Sequence, residues 1–264
     1  MPYVSTGGAR VFYTDSGRRG LPTVVLGHGF FMDLSMFAPQ VEFLESRGFR
    51  VLCWDARGHG GTTADPDAPF TYWDSARDLL AILDATEVEH AILGGMSQGG
   101  YVALRAALLA PERTDALLLL DTDAGASTPS EQAAYRDLFD AWTNPEVPLN
   151  ELAPGLAAQL IGGTPADQAP WRAKWAASDR PAIRQAAACL IERESLVDRL
   201  GEITCPVMVL RGEFDGSSTA QKSEALASGL PAAGAVVTIP GAGHAPNWTA
   251  PDLVNAALDE FLTR

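Results

Sequence analysis

Six short runs of uninterrupted apolar residues, separated by longer amphipathic stretches, limit what this chain can fold into. They are 23–27 (TVVLG), 50–54 (RVLCW), 90–94 (HAILG), 116–121 (ALLLLD), 206–211 (PVMVLR) and 235–239 (AVVTI). A strand that is apolar on both faces has to be covered on both, as in a parallel sheet flanked by helices. Helical patterns fill the intervals at 35–47, 71–86, 97–110, 219–228 and 251–262. Thr71, Thr219 and the run Thr249-Ala250-Pro251 supply start signals for three of these helices. The segment 10–15 (RVFYTD) alternates in character and precedes Ser16-Gly17, which fits an antiparallel edge strand. The expected class is α/β, with an open, mostly parallel, doubly wound sheet.

One interval breaks the alternation. Between 125 and 202 no strand pattern appears; the stretch is Ala-rich, punctuated by seven prolines, and contains Trp142, Trp171 and Trp175. It is expected to be a helical insertion, leaving 1–124 and 203–264 as the sheet-bearing core. At 264 residues, one large domain with an insertion is the simplest division. Three tryptophans in an insertion over a cleft point to a pocket wall.

Charge and cysteine content narrow the partners. Acidic residues outnumber basic ones 33 to 19, and Lys174 and Lys222 are the only lysines. A net charge of −14 repels phosphate backbones, so nucleic acid is not an expected partner. The longest apolar runs are far too short to span a bilayer, and residues 1–8 lack the basic and apolar regions of a signal peptide. Cys53, Cys189 and Cys205 are odd in number and widely spaced, as expected for free, buried thiols in a reducing compartment. A cytoplasmic location follows as an expectation.

The chemistry centres on Gly95-Met96-Ser97-Gln98-Gly99, a G-x-S-x-G string between an apolar run and a helical pattern. Flanking glycines let the chain take a strained strand-to-helix turn that presents the serine hydroxyl. A serine nucleophile needs a base, and in folds of this order the acid and the histidine follow the serine. His28, His59 and His90 all precede Ser97, which leaves His244 in Gly241-Ala-Gly-His-Ala-Pro. For the acid, Asp215 in Arg211-Gly-Glu-Phe-Asp-Gly leads, with Asp121 and Asp123 as rivals and Glu213 a poorer one; Asp121, still at the strand end, is expected to brace a loop. Developing oxyanion charge needs two N–H donors. The Gln98 amide is one expected donor, and the Phe30 amide in Gly27-His28-Gly29-Phe30-Phe31 is the other. His28 is expected to brace that loop. Asp55, Arg57 and His59 are expected to hold a turn rather than form a second centre. No G-x-G-x-x-G, G-x-x-x-x-G-K or HExxH occurs, so neither a nucleotide cofactor nor a metal is expected.

His28-Gly29-Phe30, Asp55-Ala-Arg57-Gly58-His59-Gly60, the 95–99 turn, Gly212-Glu-Phe-Asp215 and Gly243-His244 together resemble the α/β-hydrolase superfamily over nearly the whole chain. Within it, the run from His28 to Gly60 is similar to bacterial aryl esterases, cofactor-free haloperoxidase-type perhydrolases and 3-oxoadipate enol-lactonases. The resemblance implies a helical cap inserted after the sixth strand. It assigns Ser97, His244 and Asp215 as nucleophile, base and acid, and Phe30 and Gln98 as oxyanion donors. It implies an ester or lactone as a small-molecule substrate, with no cofactor. Perhydrolysis, C–C bond hydrolysis and a slow ligand receptor are the alternatives. Phe31, Met96, Trp142, Trp171 and Trp175 would bind an apolar or aromatic substrate. A dianionic one would need Arg136, Arg172, Arg180, Arg184 or Arg193 to face the pocket.

Overall fold

In the computed structural model, which describes residues 2–17 and 19–263, the apolar runs become strands whose flanks are sealed by helices. The chain begins with β1 (Tyr3–Thr6), β2 (Ala9–Asp15), β3 (Thr23–Gly27), α1 (Ala38–Ser46), β4 (Arg50–Trp54) and the two-residue β5 (Thr63–Ala64). It continues with α2 (Tyr72–Ala85), β6 (Ala91–Met96), α3 (Gln98–Leu109) and β7 (Thr114–Leu120). Four helices follow in succession: α4 (Pro129–Thr143), α5 (Leu149–Leu160), α6 (Pro165–Ala177) and α7 (Arg184–Ile191). The chain returns to the sheet as β8 (Val207–Gly212), α8 (Ala220–Gly229), β9 (Val237–Ile239), α9 (Pro246–Thr249) and α10 (Pro251–Leu262).

The strands form one sheet in the order β1-β2-β4-β3-β6-β7-β8-β9, with β5 pairing β2 off this path. β1 and β2 are antiparallel to their neighbours, and the pairs from β4 through β9 are all parallel. Every residue of β3, β4 and β8 is buried, whereas β2 alternates buried and outward positions. That contrast is the one their sequences predict: continuous apolar character in the middle, alternation at the edge. The helical insertion follows β7, the seventh strand in the chain. It is the sixth along the main sheet path, because β5 lies to one side.

Several boundaries differ from expectation for physical reasons. β6 runs on to Met96 because Gly94 and Gly95 are needed inside the strand: a Cβ on Gly94 would lie 2.7 Å from the Leu118 Cβ. His90 lies outside β6, exposed, with Nδ1 against Asp115. Thr71 and Thr219 cap α2 and α8 as expected. Thr249 does not cap α10: the cap is Ala250, and the Thr249 hydroxyl bonds the Ala245 carbonyl within the preceding turn. Cys53 and Cys189 are buried and Cys205 is only half-buried.

The insertion is closed at its base. The Leu196 N–H donates to the Ala124 carbonyl at 2.7 Å, and Arg193 Nε donates to that of Gly125 at 3.0 Å. Inside it, Arg180 donates to the carbonyls of Ala141, Trp142, Asn144 and Val147, which ties off the C-terminus of α4. Among the described residues, no helix is long and apolar enough to cross a membrane.

Candidate active site

Because β4, β3, β6, β7, β8 and β9 are mutually parallel, the loops that follow them share one edge of the sheet. Backbone bonds stitch those loops in a row: Ser97 N–H to Leu120 O at 2.9 Å, Asp121 N–H to Leu210 O at 2.8 Å, and Glu213 N–H to Ile239 O at 2.9 Å. Among the described residues, four non-glycine residues have positive φ, and three stand on this edge: Phe31 at 64°, Ser97 at 52° and Asp121 at 45°. Strain gathered at one place, away from the ordinary turns, marks a site the fold holds open.

Ser97 occupies the turn from β6 into α3 with φ 52° and ψ −113°. A Cβ on Gly99 would come within 1.9 Å of the Gly27 carbonyl oxygen, and one on Gly95 within 2.5 Å. Only glycine at both positions lets α3 start against β3. The Ser97 carbonyl accepts from Gly100 N–H, Tyr101 N–H and the Thr122 hydroxyl, which fixes the turn. The Ser97 hydroxyl itself has no hydrogen-bond partner among the described residues, and the residue is half-buried. It stands at the N-terminus of α3, where the first amides are free to face developing negative charge.

His244 lies on the loop after β9, nearly fully buried, and its Nδ1–H donates to Asp215 Oδ2 at 2.9 Å. Asp215 Oδ1 accepts the Ser217 N–H at 2.7 Å. Burial works against the Asp215 charge, but the imidazole and these hydrogen bonds outweigh it and hold the carboxyl at about 2. The two loops abut because Gly212 has no side chain: a Cβ there would sit 2.0 Å from the Gly243 carbonyl oxygen.

The other acids have different partners. Asp123 sits 3.3 Å from Lys222 Nζ and 3.7 Å from Arg193. Glu213 Oε2 accepts the Gly241 N–H. Asp121 Oδ1 accepts the Gly212 N–H at 2.8 Å, and one oxygen each of Asp121 and Asp215 and one His244 nitrogen lie within 4.8 Å of one another. Among the described residues this is the one set of three side chains tight enough for a cation. Its imidazole and Asp215 carboxylate are already bonded to each other, as in an acid–base pair.

The loop after β3 supplies the other half of the site. A Cβ on Gly29 would lie 2.4 Å from Met96 Sδ. The Ala56 N–H donates to His28 Nε2 at 2.9 Å, which leaves the proton on Nδ1, 2.8 Å from the Gly29 carbonyl. The Phe31 N–H donates to His59 Nε2 at 3.2 Å, and His59 Nδ1–H donates to the Arg57 carbonyl. Burial and neighbouring His28 hold His59 down to about 3, so it stays a neutral acceptor. Of the two consecutive amides, that of Phe31 is therefore taken; that of Phe30 has no partner among the described residues. Arg57 forms a two-pronged pair with Asp78, and Asp55 accepts from Leu34 and Gly61 N–H, so this turn is bracing.

Sequence reasoning placed five side chains around the substrate, and the structure divides them. Phe31, Trp142 and Trp175 line a cavity of about 810 Å³, with Phe31 and Trp142 ring centroids 4.4 Å apart. The Trp175 indole N–H donates to the Phe31 carbonyl at 2.7 Å. Trp171 does not line that cavity; it packs edge-to-face on Trp248 at 5.4 Å, one helical turn away from Trp175. Met96 is fully buried beneath Gly29. The cavity is also lined by His59, which no sequence signal placed there, and not by Ser97, Asp215 or His244. Of the five arginines, Arg184 alone lines it, beside Lys174, which pairs with Asp33. Arg180 and Arg193 are spent on carbonyls, so no arginine cluster for a dianion forms.

Comparison with known proteins agrees with this architecture. Residues 22–161 match the family model of the alpha/beta hydrolase fold. The chain is similar to a 2-(acetamidomethylene)succinate hydrolase of Mesorhizobium japonicum, 28% identical over 255 residues that cover 91% of this chain and 88% of the relative. Among solved structures, a thermophilic esterase from Thermogutta terrifontis superposes with a TM-score of 0.88 at 29% identity, covering 100% of this chain and 98% of the other. An enol-lactonase from Burkholderia xenovorans LB400 superposes with a TM-score of 0.87 at 27% identity, covering both chains fully.

Proposed function

This chain belongs to the alpha/beta hydrolase fold family, and we propose that within it the protein is a serine hydrolase of carboxylic esters or lactones. The observation that carries the proposal is the buried His244–Asp215 hydrogen bond on the edge of the sheet where Ser97 is strained into the open. Asp215 keeps the proton of His244 on Nδ1, which leaves Nε2 as the basic nitrogen. Ser97 Oγ attacks the carbonyl carbon as Nε2 takes its proton, and the amides of Phe30 and Gln98 stabilise the oxyanion. The imidazolium then returns the proton to the leaving alkoxide, giving an acyl-enzyme on Ser97. Water, activated by the same nitrogen, releases the acid.

An apolar or aromatic substrate is supported by the contiguous rings of Phe30, Phe31 and Trp142 beside the proposed Phe30 amide donor, and by the lack, among the described residues, of a guanidinium cluster for a dianion. The test is inactivation with an alkyl fluorophosphonate, followed by peptide mass spectrometry, alongside multiple-turnover assays on aryl esters, lactones, an acetamide and a peracid-forming reaction. A stoichiometric adduct on Ser97 and turnover of esters or lactones are expected. An adduct elsewhere, or a single burst without turnover as a ligand receptor gives, overturns the proposal.

A further inference from the structure

Asp121 stands outside the mechanism above, yet it is the acid nearest to it in space. Its side chain is fully buried. Oδ1 accepts the Gly212 N–H, whereas Oδ2 has no donor among the described residues. Its own amide is bonded to the Leu210 carbonyl, and its φ of 45° holds the carboxyl under the Asp215–His244 pair. Two carboxylates this close and this buried cannot both be ionised without a large cost; one keeps a proton. The donors decide which. Asp215 receives the His244 Nδ1–H and the Ser217 N–H, which favour its charge, while Asp121 receives one amide and sits deeper.

We propose that Asp121 is a positioning residue that stays protonated and donates its Oδ2–H to Asp215, so that a single negative charge faces His244. The proposal rests on the reading of Ser97, His244 and Asp215 as the active centre. Burial pushes the Asp121 carboxyl well above the usual carboxylate range, and the charge of Asp215 pushes it the same way. The charged or titratable groups around it are Asp215 and Arg211 from β8 and the loop after it, and His244 from the loop after β9. The Arg211 guanidinium points to the carbonyls of Glu213, Asp215 and Ser218. Two residues on, Asp123 is matched by Lys222 and Arg193. The hydrogen bond from Asp121 drains charge from Asp215 and so sets how strongly the imidazole is held as a base. It also denies Asp215 the freedom to rotate away from Nδ1.

Three measurements test this. In D121N the amide N–H replaces the O–H donor and the amide oxygen still accepts from Gly212. Here kcat is expected to stay within about threefold, and the acid limb of kcat/KM to stay in place, because no charge has been removed. In D121A the donor is lost: kcat is expected to fall roughly tenfold at near-constant KM, and the acid limb to move to higher pH, as Asp215 bears more charge. Asn restores what Ala loses. Difference infrared spectra of wild type against D121N are expected to show a protonated-carboxyl stretch at neutral pH that belongs to Asp121. If D121N moves the acid limb down by about one pH unit, Asp121 was charged and the proposal fails. Absence of the infrared band overturns it too, even if D121A does not fold. The infrared reading needs no turnover, so failure of the active-centre reading, seen as an active Ser97→Ala or Asp215→Asn, stays separate from failure here.

Discussion

The edge of the sheet and the helical insertion above it are built by opposite means. At the edge, position is set by backbone against backbone: Gly99 against the Gly27 carbonyl, and Gly212 against that of Gly243, with no room for one extra carbon. In the insertion, position is set by side chains: Trp142 and Trp175 on Phe31, Trp171 on Trp248, Arg180 on four carbonyls. Backbone contact cannot be retuned in small steps, whereas ring packing can be changed residue by residue. On the proposed reading, the first fixes where bonds are made and broken and the second is free to decide what is admitted.

The strongest way to break this contrast is Gly99→Ala. A methyl 1.9 Å from a carbonyl oxygen has nothing flexible to displace, so a loss on the order of 4 kcal/mol in urea unfolding, or no folded protein, is expected. A loss below about 1 kcal/mol would show that the edge yields after all. Ser97→Ala alters chemistry without altering the backbone: kcat should drop at least about 10³-fold while the melting temperature stays within about 2 °C. Asp215→Asn should drop kcat about 10⁴-fold, the size of the loss in a comparable triad, by favouring the wrong imidazole tautomer. Asp123→Asn should cost less than about tenfold, since Asp123 faces Lys222 and Arg193. If those two outcomes are exchanged, the acid is misassigned.

In the insertion, Trp142→Ala and Trp175→Ala should each shift relative kcat/KM between bulky and small substrates by roughly 1–3 kcal/mol. Trp171→Ala should destabilise without changing that ratio. Equal shifts from all three would erase the distinction between lining and packing tryptophans.

The last expected effect concerns pH. A carboxyl raised in the folded state binds its proton there while the unfolded chain has released it, so stability falls as pH rises above the ordinary Asp range. Asp121→Asn removes that proton uptake, and its melting temperature should exceed that of wild type by a wider margin at pH 8 than at pH 5. Equal margins at the two pH values would contradict it.

Much of the sheet was legible because strands buried on both faces need continuous apolar runs, and 23–27, 50–54 and 116–120 have no other use. β1 and β5 were not, since they are short and pair only with β2. The end of β6 was hidden by Gly94 and Gly95, which read as a strand ending but serve as a strand in close contact. At the candidate site, the G-x-S-x-G string between a strand and a helix singled out Ser97, chain order then left His244, and strand-end position favoured Asp215. The contact of Asp121 with Asp215 was not legible, because it depends on β7 lying beside β8 across a long insertion. Trp171 and Trp175 fall on one helical face at a spacing of four, so periodicity could not tell that one meets Trp248 and the other Phe31.

The bond from Leu196 N–H to the Ala124 carbonyl closes the insertion at its neck. The entropy of joining two strands grows with the length of the loop between them, but only logarithmically, so each doubling of the excursion from Leu120 to Val207 costs only about 0.6 kcal/mol. Once the neck has formed, β7 and β8 are joined by a short link whatever lies beyond it. Helices can be lengthened, shortened or exchanged beyond that neck with little effect on how the sheet assembles. On the proposed reading, what is admitted can change there while Ser97, His244 and Asp215 stay where the sheet puts them.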